Sequence, residues 1–159
     1  MRITCVAVGR LRETYFREAV AEYGKRLSRY CKLEIIELQD EKTPDGAGEA
    51  LEQQIKDREG ERILKVLKED AYVIALAIEG AMPDSVELSR KLERLAVGGR
   101  SHLMFVIGGS LGLSGAVLER ADELLSFSAM TFPHQLMRVI LLEQLYRSFR
   151  IRNHEPYHK

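Results

Sequence analysis

Two groups of residues in this chain carry chemistry, and they sit apart in the sequence. The first is three segments poor in charge: Leu76 onward, Gly108-Gly109, and Phe127 to Phe132. Each follows an apolar run that reads as a strand. They supply mainly backbone N–H and C=O groups and apolar surface, a lining suited to a flat heterocycle with a few polar edges. In open parallel sheets, ligands collect outside the carboxyl ends of the strands, and all three segments occupy that position. The second group is the tail. Arg147, Arg150, Arg152 and Lys159 make it basic, Tyr157 offers a ring on which a base can stack, and His154 and His158 can move a proton.

Other chemistries fit the letters less well. Gly108-Gly109-Ser110-Leu111-Gly112 matches the Gly-x-Ser-x-Gly nucleophile elbow of hydrolases literally. That elbow needs a helix immediately after the serine, and Gly112 and Gly115 delay one. The same loop lacks the glycine spacing of a dinucleotide fingerprint, and no Gly-Lys-Ser/Thr phosphate loop occurs. His154 and His158 are four apart, but Pro156 between them removes the helical spacing of a metal pair. Cys5 and Cys31 form no metal spacing either, so no metal site is expected. Arg138 stands out, because a charge embedded in an apolar helix should have a partner or a ligand. His134, just after Pro133, reads as structural in preference to a holder of the adjoining loop. His102 reads as surface.

The elements that must position these groups alternate strand and helix. Ile3–Val8, Leu33–Leu38, Ala71–Ile78, Leu103–Ile107 and Leu124–Phe127 read as strands, with Leu33–Leu38 nearest an edge because it alternates. Helical stripes lie on Phe16, Val20, Tyr23, Leu27 and Tyr30, on Leu51 to Leu67, and on Leu88, Leu92 and Leu95. A capping box on Asp84 and Glu87 opens the last of these, and Gly98-Gly99 stop it. Glu52–Lys56 is a favourable four-residue pair on the second helix, while Gly60 weakens that helix by about 1 kcal/mol relative to alanine. Residues 40–48, rich in Asp, Pro and Gly, read as a loop. A short helix is expected over Ala116–Glu123. The segment Leu124–Arg147 then passes from strand through a small-residue loop to a helix entered at Pro133. Leu136, Met137, Val139, Ile140, Leu141 and Leu142 make that helix apolar nearly all round, so it must be buried on one face by the core and on the other by a partner. The expected class is α/β: one domain over residues 1–159, with a mostly parallel sheet and helices on both faces.

Bulk properties narrow the setting. The 159 residues are 45% hydrophobic and 30% charged, with 24 basic and 24 acidic side chains. A formal net charge of zero argues against a generic polyanion binder while leaving room for a local basic patch. Two unpaired cysteines fit a reducing compartment. The start lacks signal-peptide features, and no apolar run approaches the ~20 residues of a membrane helix, so a soluble cytoplasmic protein with no membrane partner is expected.

Several of these stretches, in order, resemble one family. Val6-Ala7-Val8-Gly9, Phe105-Val106-Ile107-Gly108-Gly109, Leu125-Ser126-Phe127-Ser128, Met130-Thr131-Phe132-Pro133-His134 and Pro156-Tyr157-His158-Lys159 are similar to the RlmH family. Its members are small SPOUT-superfamily methyltransferases that modify N3 of a pseudouridine in 23S ribosomal RNA. The resemblance covers essentially the whole chain. It implies a C-terminal trefoil knot, although true knots are rare, and a homodimer with the knot region at its interface. It further implies S-adenosylmethionine held by Leu76, Gly108 and the loop Phe127, Ser128, Ala129, Met130, Thr131 and Phe132. Tyr157 and His158 become catalytic residues on the substrate side, followed by the basic Lys159. Arg138 joins them as a charge that could cross the dimer toward the RNA. Many members read Asn-His-Pro-Tyr-His, whereas Glu155 here stands where the first histidine would fall, so that role is not carried to His154. A ribosome- or RNA-binding module without catalysis is the rival expectation.

Overall fold

The alternation of apolar runs and helical stripes resolves into ten elements in a computed structural model that describes residues 1–159. They are β1 (Arg2–Val8), α1 (Thr14–Leu27), β2 (Lys32–Leu38), α2 (Glu49–Val66), β3 (Tyr72–Ala81), α3 (Ser85–Val97), β4 (His102–Ile107), α4 (Gly115–Arg120), β5 (Glu123–Leu125) and α5 (His134–Arg152). All strand pairs are parallel, in the order β2-β1-β4-β3-β5. β2 lies at an edge and its side chains are at most half-buried, which explains its alternating pattern.

The strict period of two in each strand divides the core. Ile3, Cys5 and Ala7 of β1, with Leu103, Phe105 and Ile107 of β4, face α1, α3 and α5. Val6, Val8, Met104 and Val106 face the other way, onto α2 and α4. Phe105 and Leu103 are fully buried, and each such side chain contributes roughly 1.5–3 kcal/mol through removal from water. In the second layer α2 and the start of α4 approach closely. A Cβ on Gly60 would lie 2.3 Å from Ser114 Oγ, so glycine here permits the contact while α2 runs unbroken through it. Ser114 also caps α4 by accepting from Val117 N–H at 3.4 Å. The capping box on α3 forms in both directions: Glu87 N–H donates to Asp84 at 2.7 Å, and Asp84 N–H donates to Glu87 at 2.8 Å.

Several boundaries differ from the sequence reading; α4 stops at Arg120, and Glu123, expected in that helix, opens β5. β3 runs on to Ala81, because after Leu76 it bulges outward and returns so that Ala81 also pairs with Leu125. β5 ends at Leu125 and not at Phe127, since Ser126 N–H already turns to the Ala81 carbonyl at 2.8 Å. Pro133 is the N-cap of α5, its ψ of 135° being extended, and the helix proper starts at His134. α5 packs between α1 and α3. Leu141, Leu142 and Leu145 are wholly buried there, while Leu136, Met137, Val139 and Ile140 are only partly buried on its N-terminal half. No helix is long and apolar enough to cross a membrane.

Candidate active site

The carboxyl ends of β3, β4 and β5 converge on one cavity of about 940 Å³. Leu76–Glu79, the glycine-rich turn after β4 and the segment from Leu125 to His134 form its walls. The turn is closed on itself. Gly112 N–H donates to Gly109 C=O at 3.1 Å, Gly112 has φ +87°, and a Cβ on Gly108 would lie 2.9 Å from the Gly112 carbonyl carbon and oxygen. Only glycine allows this closure. Ser110 sits in the turn, and α4 does not begin until Gly115, so the hydrolase elbow geometry is not formed. Across the cavity, Ser126 Oγ donates to Ser128 C=O at 3.0 Å, and Met130 N–H donates to Ser128 Oγ at 3.0 Å. These local bonds shape the small-residue loop without a helix or strand.

Of the eight residues expected around a cofactor, Leu76, Gly108, Phe127, Ser128, Met130, Thr131 and Phe132 line the cavity, and Ala129 does not. Sequence reasoning missed Lys56 and underused His134, both of which also line it. Lys56 reaches the cavity from α2, and no spacing on its own helix signals that placement; it follows from the close α2–α4 packing at Gly60. His134 Nδ1 is buried with no hydrogen-bond partner. Burial, then the Arg138 charge, holds this imidazole below its ordinary pKa and favours the neutral ring. A Cβ on Gly9 would lie 3.3 Å from His134 Cε1, so the first loop of the chain abuts this wall.

The residues fit a nucleoside-like ligand with a charged end. The walls are apolar and backbone-rich, while Lys56 and Glu79 place one charge of each sign on the lining. A purine ring suits the first feature, and an amino-acid zwitterion the second.

Arg138 is not with the tail. Its side chain is 1% exposed, Nη1 donates to Glu37 Oε2 at 2.6 Å, and Nη2 donates to Gly9 C=O at 3.2 Å. The partner that its burial demanded is Glu37, at the end of β2, inside the same protomer. This placement does not present Arg138 to a ligand across a subunit boundary.

The tail folds back against α5, with Glu155 and Tyr157 half-buried and Pro156, His158 and Lys159 exposed. Arg150 holds it by pairing with Glu155 and donating to the Pro156 carbonyl at 2.8 Å. Glu155 also accepts from the Tyr30 hydroxyl at 2.9 Å. The residue that departs from the commoner tail pattern is therefore the one that latches the tail to the α1–β2 junction. Tyr157 donates to Glu143 Oε1 at 3.1 Å and meets Tyr146 edge-on, with ring centroids 4.9 Å apart. Arg147 contacts His158 Nδ1 at 3.2 Å. None of the tail residues lines the cavity. Along α5, Glu143 and Arg147 lie roughly 14 Å and 20 Å from His134 at ~1.5 Å rise per residue. Within one protomer the two groups of candidate residues are not brought together.

Residues 1–158 match a family described as "Predicted SPOUT methyltransferase". Three similar proteins each carry the name Ribosomal RNA large subunit methyltransferase H. One, from Bifidobacterium adolescentis, is 60% identical; one from Clostridium botulinum (strain Eklund 17B / Type B) is also 60% identical; and one from Clostridium kluyveri is 56% identical. In each case the match spans all of this chain and all of the relative.

Proposed function

Because this chain belongs to the SPOUT methyltransferases, in the RlmH family, we propose that it transfers a methyl group from S-adenosylmethionine to N3 of a pseudouridine in 23S ribosomal RNA. The observation that carries the reading is the cavity at the ends of β3, β4 and β5, whose lining suits an adenosine ring and an amino-acid end. When bound there, S-adenosylmethionine supplies a methyl activated as a sulfonium.

The chain's own residues then do three things. Backbone groups of Leu76, Gly108 and the Phe127–Phe132 loop hold the donor, and Lys56 and Glu79 complement the charges of its amino-acid end. Phe127, Phe132 and Met137 exclude water from the cavity and fix an approach direction, which is where most of the acceleration of a transfer between two bound groups resides. Tyr157 and His158 meet the target base, whose N3 proton must leave.

These functions require a second copy of the chain. In one protomer the tail lies far along α5 from the cavity, and Leu136, Met137, Val139 and Ile140 are only partly buried on the helix between them. A homodimer packed on that face covers the surface and sets one tail beside the other cavity. The trefoil knot goes with the family membership, and the close passage of Gly80 against Leu124 and Leu125 fits it. Arg138 has a positioning role in this scheme, tying the start of α5 to β2 through Glu37.

Mass spectrometry of ribosomal RNA from cells lacking this protein should show one pseudouridine without its methyl group. An unchanged methylation pattern would sink the proposal. Calorimetry with S-adenosylmethionine separates it from a binding module without catalysis, which should give no heat.

A further inference from the structure

We propose that His158 acts as a hydrogen-bond donor to a carbonyl oxygen of the target base, in a tautomer set by Arg147, with Glu143 and Arg147 as its positioning residues. The proposal rests on the methyl-transfer reading above and assigns one side chain its task within it.

Glu143, on α5, gathers the tail. Its Oε1 accepts from Arg147 Nε at 3.0 Å, from Arg147 Nη2 at 2.6 Å and from the Tyr157 hydroxyl at 3.1 Å. Its Oε2 accepts from Gln144 at 2.8 Å. Two donors of one guanidinium on one carboxylate fix the plane of Arg147. The Tyr157 ring, 4.8 Å from Arg147 Cζ, supports that plane from one side. The remaining fork nitrogen, Nη1, lies 3.2 Å from His158 Nδ1.

A guanidinium has only donors, so in this contact Nδ1 of His158 must accept. A ring nitrogen that accepts carries no proton, and the neutral imidazole then bears its hydrogen on Nε2. An imidazolium would set one N–H against another. His158 meets Arg147, and behind it lie Glu143, Tyr157 and, from α1, Tyr23. Together they leave His158 one free polar group, the Nε2–H on the far side of its ring from Arg147.

The reaction has a use for such a donor. N3 of the base lies between two ring carbonyls. As transfer proceeds, the N3–H bond breaks and its proton passes to a water molecule on the exposed tail side of the base, outside the cavity. The bond from N3 to the methyl carbon forms as the carbon–sulfur bond breaks, with the sulfur keeping that electron pair. Between these events, negative charge spreads onto the flanking carbonyl oxygens. A donor aimed at one of them binds the transition state more strongly than the ground state. With Nδ1 taken by Arg147 and Nε2 already protonated, His158 does not receive the N3 proton.

Glutamine offers an amide N–H at about the reach of the imidazole Nε2, whereas alanine offers neither donor nor base. Free 23S ribosomal RNA, large subunits and assembled ribosomes from cells lacking this protein are each assayed with S-adenosylmethionine, and the form that accepts a methyl group is the substrate used for the variants. His158→Ala should lower kcat by about 100-fold, the cost of one lost donor at a developing oxyanion. The dissociation constant for S-adenosylmethionine should stay unchanged. His158→Gln should recover much of that loss. Arg147→Met should lower kcat on its own and add little to His158→Ala. An activity of His158→Gln no higher than that of His158→Ala is the mark of a lost base and overturns the proposal. Nitrogen-15 spectra of the histidine rings in the free protein give a readout independent of catalysis. They should show the His158 proton on Nε2 and an Nδ1 signal that moves in Arg147→Met, whereas a proton on Nδ1 overturns the assignment. If the unsubstituted protein transfers no methyl, the methyl-transfer reading fails on its own, and the ring spectra still decide how Arg147 holds His158.

Discussion

Arg138, on an otherwise apolar stretch of α5, reaches Glu37 at the end of β2, with 2.6 Å between Nη1 and Oε2. The guanidinium is 1% exposed, and its Nε has no partner. Removing the carboxylate would leave a buried cation with the Gly9 carbonyl alone. A wholly buried pair broken in this way costs ~3–5 kcal/mol. Glu37 is 39% exposed, so water can partly replace it, and Glu37→Ala should destabilise by about 2 kcal/mol. Pairing it with Arg138→Met removes the stranded charge and should recover most of that loss. Urea unfolding of the two single variants and the double variant measures the coupling, and additive losses would show that the pair does not act as a unit.

Gly80 should tolerate no side chain. A Cβ there would lie 2.6 Å from the Leu124 carbonyl carbon and the Leu125 nitrogen, both backbone atoms with no freedom to swing aside. Gly80→Ala should therefore cost about 1–3 kcal/mol, the range for overpacking a tight contact. The damage falls where β3 bulges and the Phe127–Phe132 wall begins, so affinity for S-adenosylmethionine should fall with stability. Calorimetry of the variant that finds wild-type affinity would separate this crossing from the cavity.

Much of this arrangement was legible in the chain, and the part that was not has physical reasons. The burial of Leu103–Ile107, the edge character of Leu33–Leu38 and the Asp84–Glu87 box are local properties, and they stand as read, whereas the apolar run Ala71–Ile78 is buried only as far as Ala75 and leaves Ile78 exposed. The convergence of three loops stands too: a parallel sheet puts the ends of its strands along one edge, and the adjacency of β4, β3 and β5 brings these three to one cavity. Lys56 was paired with Glu52 by spacing alone, yet it lines the cavity, since Gly60 lets α2 sit close to Ser114. Arg138 announced that it needed a partner without naming Glu37, which is 101 residues away. The tail is the clearest case. Composition suggests a solvated basic end, and only the fold reveals that Glu143, Arg147, Arg150 and Glu155 bind it down.

Tyr157 should remain a neutral phenol far into the alkaline range. Burial and the neighbouring Glu143 carboxylate, which both repels a phenolate and accepts from the hydroxyl, push it up to about 12. In ultraviolet titration one tyrosine should ionise near that value and vanish in Tyr157→Phe. Glu143→Gln keeps an acceptor but removes the charge, and should bring this tyrosine back toward the usual ~10. If the tyrosine that disappears in Tyr157→Phe titrates at the ordinary value in the unsubstituted protein, the tail does not rest on Glu143 in solution.

His134 should make the fold sensitive to mild acid. In the unfolded chain it takes up a proton near ~6.5, whereas in the fold burial and the Arg138 charge hold its pKa lower. Between those two values the unfolded chain binds more protons, so stability rises with pH across the window. The contribution is present above the unfolded value and is lost as pH falls from there toward the folded one. His102, depressed by burial and by Arg2, adds in the same direction. Thermal unfolding from pH 7 to pH 5 should therefore show a falling midpoint, with a shallower fall in His134→Gln and a residual slope belonging to His102. The same slope in both proteins would show that His134 takes up its proton in the fold as freely as in the unfolded chain, and that this wall of the cavity is open to water.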